Sequence, residues 1–385
     1  MNELFPEKNK SRQNRFLEVV KQLDSRVLMP KTAPGLAKTQ QALSRLHLNY
    51  PEQSRQTILV AGTNGKGTVC RCLEHFLLAA GQKTFLFTSP HLISLRERLR
   101  INGRSVSEDE FVYAFEAIDP LTNDLGLSHF ETLTIMAAWL AFRSPLGEEK
   151  DHWFIWEVGL GGTWDSTNAI PHGTSVITSI SYDHQDLLGN TLEEIAENKM
   201  GILQKQNLVI HSPTWPDSIL RLFKTKQNQG ELEAHTAKLP LFKSRTSFPR
   251  SKDFLEIQGK RYLLPENGPR FAENIMISLE ALTQLKVPIK AGLETLESYY
   301  WPGRGDILTS PDFQCSLLLS GDHNIAGINS LIEILQNVAY RKAHLLVGIG
   351  LNKDGDEMLR LLEKLPRSQI TLIKSPFRGR SHKEF

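Results

Sequence analysis

The stretch "AGTNGKGT" at residues 61–68 carries the residue types of a phosphate-binding loop in an unusual register. In the common pattern, G-x-x-x-x-G-K-[ST], backbone N–H groups cradle phosphate while a lysine and a hydroxyl reach phosphate and magnesium. Gly65 and Lys66 match its core, but Val60 stands where the first glycine belongs, Gly67 where the hydroxyl belongs, and Thr68 comes one residue late. Other reactive types follow at wide spacing: Ser89 before a proline, Glu131, His184, Lys199 in "ENKMGI", Arg304 in "PGR", and the pair His323 and Asn324. A hydroxyl, a carboxylate and an imidazole suit a hard cation that keeps several waters, and a planar guanidinium suits phosphate. Each also has an ordinary reading. Ser89 is a turn residue, Glu131 a charge favoured at a helix N-terminus, His184 a hydrogen-bonded loop histidine, Lys199 a solvated helix lysine and Arg304 a surface linker residue.

The elements around the loop are those a phosphate site needs. "TILVAG" (57–62) is a short apolar run rich in β-branched residues, so it predicts a buried strand. "VCRCLEHFLLAAG" has apolar residues at helical spacing and stops at Gly81, and "KTFLFTSP" reads as a second strand. The loop therefore joins a strand to a helix N-terminus, where unpaired N–H groups and a positive dipole end favour anions. The alternation continues with a helix at 130–142, strands at 153–159 and 174–180, a helix at 191–203 and the strand "NLVIHSP". That order predicts an α/β fold with a mainly parallel sheet covered on both faces. Residues 231–265 predict short antiparallel strands, and 270–285 a strong helix.

"YYWPGRGD" (299–306) ends that helical stretch with a proline, two glycines and three aromatics, the signature of a junction. Beyond it, strand and helix patterns alternate in a second, smaller α/β unit. The division is 1–298 and 299–385, as expected for a chain of 385 residues. Hydrophobic residues make up 40% and charged residues 23%, enough for full cores. Lys plus Arg is 45 against 43 for Asp plus Glu, which gives no electrostatic case for nucleic acid or an anionic membrane as partner. The basic run at 8–15 is read as a solvated helix face. Cys70, Cys72 and Cys315 form neither a zinc spacing nor a disulfide framework, so a reducing compartment follows. The N-terminus has no signal-peptide core and no apolar run reaches the ~20 residues of a membrane span. A cytoplasmic monomer is the expectation.

Six stretches occur in order: "AGTNGKGT", "TSPHLISLRERLRING", "WEVGLGGTWDSTN", "DHQDLLGNTLEEIAENKMGI", "WPGRG" and "DHN". Together they resemble the folylpolyglutamate synthase/dihydrofolate synthase family of the Mur ligase superfamily over roughly residues 35–380. That family writes its loop G-T-N-G-K-G-[ST], so the shifted glycine and threonine are its form of the phosphate loop. The resemblance implies an N-terminal Mur-ligase-type domain with a smaller Rossmann-like C-terminal domain. It also implies an ATP- and Mg²⁺-dependent ligase joining L-glutamate to dihydropteroate or a reduced folate through an acyl phosphate. By the same resemblance Lys66 meets the phosphates, with Thr63, Asn64, Gly65, Gly67 and Thr68 as loop contacts. Ser89, Glu131 and His184 hold one or two Mg²⁺ ions, and Lys199 is either a carbamylated ligand or a free lysine. Asp165 and Asn168 line the folate or phosphate region, Asn274 lies near the nucleotide, Arg304 reaches ATP, and His323 with Asn324 stands near ATP and glutamate.

The departures concentrate in the second unit. The family has Asp-x-Ala-His-Asn-Pro where this chain has "SGDHNI", so Ser320 replaces the aspartate, Asp322 the alanine and Ile325 the proline. Asp322 is the nearest carboxylate able to compensate. Thr163 replaces a family arginine, the phenylalanine after Arg304 is absent, and the family's further helix, Gly-Ser strand and last helix are not found before "SPFRGRSHKEF". The family's glutamate site is associated with that Gly-Ser region. These departures leave a nucleotide-binding protein without ligation as an alternative; a Mur-type ligase for another substrate is a further reading, against which "TSPHL" and "RERLRING" count.

Overall fold

The protein is described here from a computed structural model covering residues 10–27, 36–48, 55–143, 152–243, 253–265, 268–309, 315–336, 340–350 and 353–374. The "SPFRGRSHKEF" segment lies outside the described residues. One sheet dominates. Its strands are β1 (Thr57–Ala61), β2 (Lys83–Phe87), β3 (Leu99–Ile101), β4 (Arg104–Ser105), β5 (His152–Glu157), β6 (Thr174–Ile177), β7 (Leu208–His211) and β8 (Glu233–Thr236). They lie in the order β4-β3-β2-β5-β1-β6-β7-β8. The β2-β5-β1-β6-β7-β8 pairings are parallel, and only the β3 and β4 edge is antiparallel.

The apolar runs read from sequence become strands buried on both faces, and their side chains alternate between two cores. Leu59 and Ala61 of β1, with Phe154 and Trp156 of β5, face one core. Ile58 and Val60, with Trp153 and Ile155, face the other. The helices are α1 (Lys10–Ser25), α2 (Ala37–Arg45), α3 (Lys66–Ala79), α4 (Glu108–Asp124), α5 (His129–Arg143), α6 (Gln185–Leu188), α7 (Leu192–Lys199), α8 (Asp217–Gly230), α9 (Pro269–Gln284) and α10 (Lys290–Glu294). Residues of α1, α4 and α5 fill the first core, and α3 and α9 fill the second. The weak pattern after 231 resolves into β8 on the main sheet and an antiparallel trio, β9 (Leu241–Lys243), β10 (Phe254–Ile257) and β11 (Lys260–Leu263).

After 299 come β12 (Asp306–Thr309), β13 (Ser316–Leu319), α11 (Ile325–Gln336), β14 (Ala343–Val347), α12 (Gly355–Glu363) and β15 (Ser368–Leu372). The expected α/β alternation is present, but the strands form two separate pairs. β12 and β13 are antiparallel, whereas β14 and β15 are parallel. Their core consists of Ile328, Leu335, Ile349, Met358, Leu362 and Leu365, with partly buried neighbours packed around them.

Candidate active site

The loop after β1 sits at the carboxyl end of the sheet, where β1 lies between β5 and β6. Clefts at such strand ends are where open α/β sheets bind ligands. Gly62 has φ +142°, and a Cβ there would stand 1.9 Å from Thr178 Oγ1. Gly65 has φ +87° as the N-cap of α3, and its missing Cβ makes room for the Asn274 amide. Both conformations need glycine. Gly67 explains the shifted register: a Cβ on it would lie 3.3 Å from Glu157 Oε2. The position that carries a hydroxyl in the common loop thus faces a carboxylate arriving from the end of β5.

Thr63 is spent on the scaffold. Its N–H donates to Ser179 O at 2.7 Å, and its hydroxyl is bonded to both Ser181 O and Ser181 N–H. Lys66 Nζ donates to Gly62 O and Thr63 O, each at 3.1 Å, and Lys199 Nζ to Gly62 O at 3.0 Å. Two ammonium groups therefore converge on one loop. Burial lowers the Lys66 pKa, with the charges of Glu157 and Asp183 opposing it. Burial, with Lys66 nearby, pushes Lys199 down to about 7. Glu157 is raised by burial and held down in turn by Lys66 and by the Ser89 N–H, which donates to Oε2 at 2.8 Å.

Glu157 stands closer to Ser89 and the loop than the expected set of Ser89, Glu131 and His184 anticipates. The Glu131 carboxylate accepts from Ser128 N–H at 2.8 Å and from the Ser128 hydroxyl at 2.6 Å, at the start of α5. The Glu131 N–H donates back to the Ser128 hydroxyl at 3.4 Å. This is a reciprocal helix cap, and "SHFE" carries its Ser-x-x-Glu spacing. The carboxylate tied to Ser89 and facing the loop is Glu157. His184, in the left-handed region with φ 50°, leaves Nδ1 buried without a hydrogen-bond partner among the described residues. Burial pushes its imidazole down to about 4, so the ring is neutral and able to act as a ligand. Among the described residues no three His, Cys, Asp or Glu side chains form a closed metal cage. One carboxylate, one hydroxyl residue and an unpartnered imidazole nitrogen fit a Mg²⁺ ion that draws its remaining oxygens from phosphate and water.

Asp165 and Asn168 both have partners within the protein. The Asp165 carboxylate is buried and accepts from Leu160 N–H, Thr167 N–H and the Thr167 hydroxyl. Asn168 Nδ2 donates to Thr163 O and Gly201 O. Both heads fold the "GLGGTWDSTN" turn and tie it to the segment that carries Lys199, while Asn168 Oδ1 stays buried without a hydrogen-bond partner among the described residues. Thr163 joins them, donating to Asn198 O at 3.0 Å.

A cleft opens between the loop and the C-terminal unit, lined by Asn64, Gly65, Thr68 and Asn274 on one side and Arg304, Ser320, Asp322 and His323 on the other. Arg304 lies against Gly321, where a Cβ would stand 3.0 Å from Arg304 Nη1. The Ser320 hydroxyl donates to Asp322 at 2.6 Å, so the displaced carboxylate does reach the cleft wall. His323 Nδ1 lies 2.9 Å from Gly321 O. Asn324 and Asn64 exchange amide hydrogen bonds at 3.2 and 3.0 Å. Sequence reasoning passed over Glu157, Asp183 and Lys353. Only Glu157 left a local signal, as an acidic residue closing an otherwise apolar strand.

No family model matches the chain. It is 37% identical over 193 residues to the dihydrofolate synthase/folylpolyglutamate synthase of Escherichia coli (strain K12), covering 50% of this chain but 44% of that protein. It is 32% identical over 313 residues to the protein of the same name from Buchnera aphidicola subsp. Schizaphis graminum, covering 79% of this chain and 71% of the relative. Its fold matches a bifunctional folylpolyglutamate synthase/dihydrofolate synthase crystallised with Mn, AMPPNP and L-glutamate, with TM-score 0.77 and 28% identity over 96% of this chain and 86% of the other. The chain belongs to the dihydrofolate synthase/folylpolyglutamate synthase family.

Proposed function

We propose that the protein uses ATP to join L-glutamate to dihydropteroate or a reduced folate. The observation that carries this reading is the convergence of Lys66, Lys199 and Glu157 on one loop, whose Asn64, Gly65 and Thr68 line a cleft with Arg304 and His323 on its far wall. In the first step an acceptor carboxylate oxygen attacks the γ-phosphorus and ADP leaves. In the second the glutamate amine attacks the acyl carbon, phosphate leaves, and an amide forms. Both steps bring anions together, so the protein's task is placement and charge neutralisation. The Lys66 ammonium and the loop N–H groups would hold the transferred phosphoryl group. Arg304 would reach it from the other wall with a planar fork of donors. Ser89, Glu157 and His184 would hold Mg²⁺, which when bound offsets phosphate charge. Thr68 and Asn274 would meet the nucleotide, and His323 the incoming amino acid.

Lys199 is a candidate for carbamylation, since burial brings its amine near neutrality. The three cysteines are free, in keeping with a reducing cytoplasm, and among the described residues no helix is long and apolar enough to cross a membrane. The test is a mass-spectrometric product assay with ATP, Mg²⁺, glutamate and, separately, dihydropteroate or tetrahydrofolate. A glutamylated product is expected and names the acceptor. Tight ATP binding with no product from either acceptor would overturn the ligase reading.

A further inference from the structure

Asp183 has no role in the chemistry above, yet the C-terminal unit converges on it. Its carboxylate is only 6% exposed and forms an ion pair with Lys353, which is itself 10% exposed. Asn324 Nδ2 donates to Oδ2 at 2.9 Å, and His323 Nε2 lies 3.5 Å from the same oxygen. Burial alone would raise the Asp183 pKa, but His323 and Lys353 hold it well below the usual carboxylate range. The same stretch of chain anchors the phosphate loop, through Thr63 N–H to Ser179 O and Ser181 N–H to Thr63 Oγ1. Asn324 spans both parts, because it also pairs with Asn64 in the loop. A contact at Asp183 therefore fixes the C-terminal unit to the rigid piece that fixes the phosphate loop.

A buried carboxylate left without its cation is costly, so this arrangement is favourable only with Lys353 in place. When the units separate, water reaches both groups. We propose that Asp183 and Lys353 are positioning residues that hold the C-terminal unit closed on the phosphate loop, and so set the distance from Arg304 and His323 to the loop. The inference deepens the ligase reading, on which its kinetic test rests, but closure itself is measurable without turnover.

The experiment compares Asp183→Asn, Lys353→Ala and Lys353→Arg with the unaltered protein, using small-angle X-ray scattering with a non-hydrolysable ATP analogue. Circular dichroism is recorded on the same samples. The Asn and Ala variants are expected to stay folded and scatter as larger particles, while Lys353→Arg stays compact. Where the acceptor is turned over, kcat in the first two falls about 100-fold, as for a reacting group misplaced by about an ångström. The acceptor's KM changes little and Lys353→Arg retains most of kcat. Folded Lys353→Ala with unchanged scattering overturns the proposal. Lys353 decides the matter if Asp183→Asn fails to fold, because it lies in the outer unit. Failure of ligation in the unaltered protein leaves the scattering result standing on its own.

Discussion

The two units are built from the same kind of segment and buried very differently. In the first, every residue of β1, β5 and β6 is buried, and helices cover the sheet on both faces. In the second, β13, β14 and β15 alternate half-buried and exposed positions, and Leu308, Leu317, Leu319, Leu346 and Ile373 are exposed. A parallel pair covered on one side buries half of its apolar side chains at best. The difference separates rigidity from adjustability. The first unit holds Lys66, Lys199 and Glu157 through its own packing, whereas the second depends for its place on contacts such as those to Asp183. Members of the catalytic set in the first unit should fail chemically, and those in the second through position.

The sharpest test of that division is Lys66→Ala. Losing the ammonium is expected to cost about 100- to 1,000-fold in ATP turnover, the usual scale for one preorganised donor at a charged transition state. The melting temperature should barely move, because α3 is packed by Val69, Leu73, Phe76 and Leu77 and not by the lysine. Turnover at the original rate would remove Lys66 from the mechanism.

Leu362→Ala probes the other side. Leu362 is 1% exposed in the six-residue buried core of the C-terminal unit, and truncation should cost about 2–5 kcal/mol. Calorimetry should resolve a separate, earlier transition for that unit while the main transition stays in place. A single transition shifted as a whole would mean that the units unfold together, and the contrast drawn above would fail.

Smaller still, and aimed at one carboxylate choice, is the pair Glu157→Gln and Glu131→Gln. The first should raise the Mg²⁺ concentration needed for activity, with little change in stability. The second should leave the Mg²⁺ titration alone and cost at most about 1 kcal/mol of stability, as loss of a helix cap does. An unchanged titration in Glu157→Gln would argue against that residue as a ligand.

The pair also marks how far the sequence could be read. Strand, loop and helix at 57–79 were legible because glycine, lysine and apolar spacing act locally. Glu131 is read as a ligand by type, whereas "SHFE" also spells a helix cap, and the Glu131 carboxylate makes that cap's hydrogen bonds. Asp165 and Asn168 stood out by type, but type does not tell which way a side chain points: Asp165 bonds within its own turn and Asn168 ties that turn to Gly201. Asp183 and Lys353 meet across 170 positions of chain, a pairing that no local pattern encodes. Ser320 read as a lost carboxylate, whereas its hydroxyl bonds to Asp322 on the same cleft wall.

The smallest expected effect concerns Lys199, and its sign follows from burial. An ammonium whose pKa has dropped to about 7 sheds its proton as the pH rises through that value. Only the neutral amine can attack carbon dioxide, so carbamate occupancy should be higher above pH 7 than below it. NMR with isotopically labelled bicarbonate reads the occupancy directly, and added bicarbonate should stimulate turnover most on the acid side, where little carbamate forms unaided. Lys199→Arg keeps a cation at the loop but cannot be carbamylated under these conditions. If that variant keeps full activity and the unaltered protein gives no carbamate signal, Lys199 acts as a second ammonium beside Lys66. The first unit would then hold its site with two fixed cations, and reversal of charge at Lys199 would have no part in it.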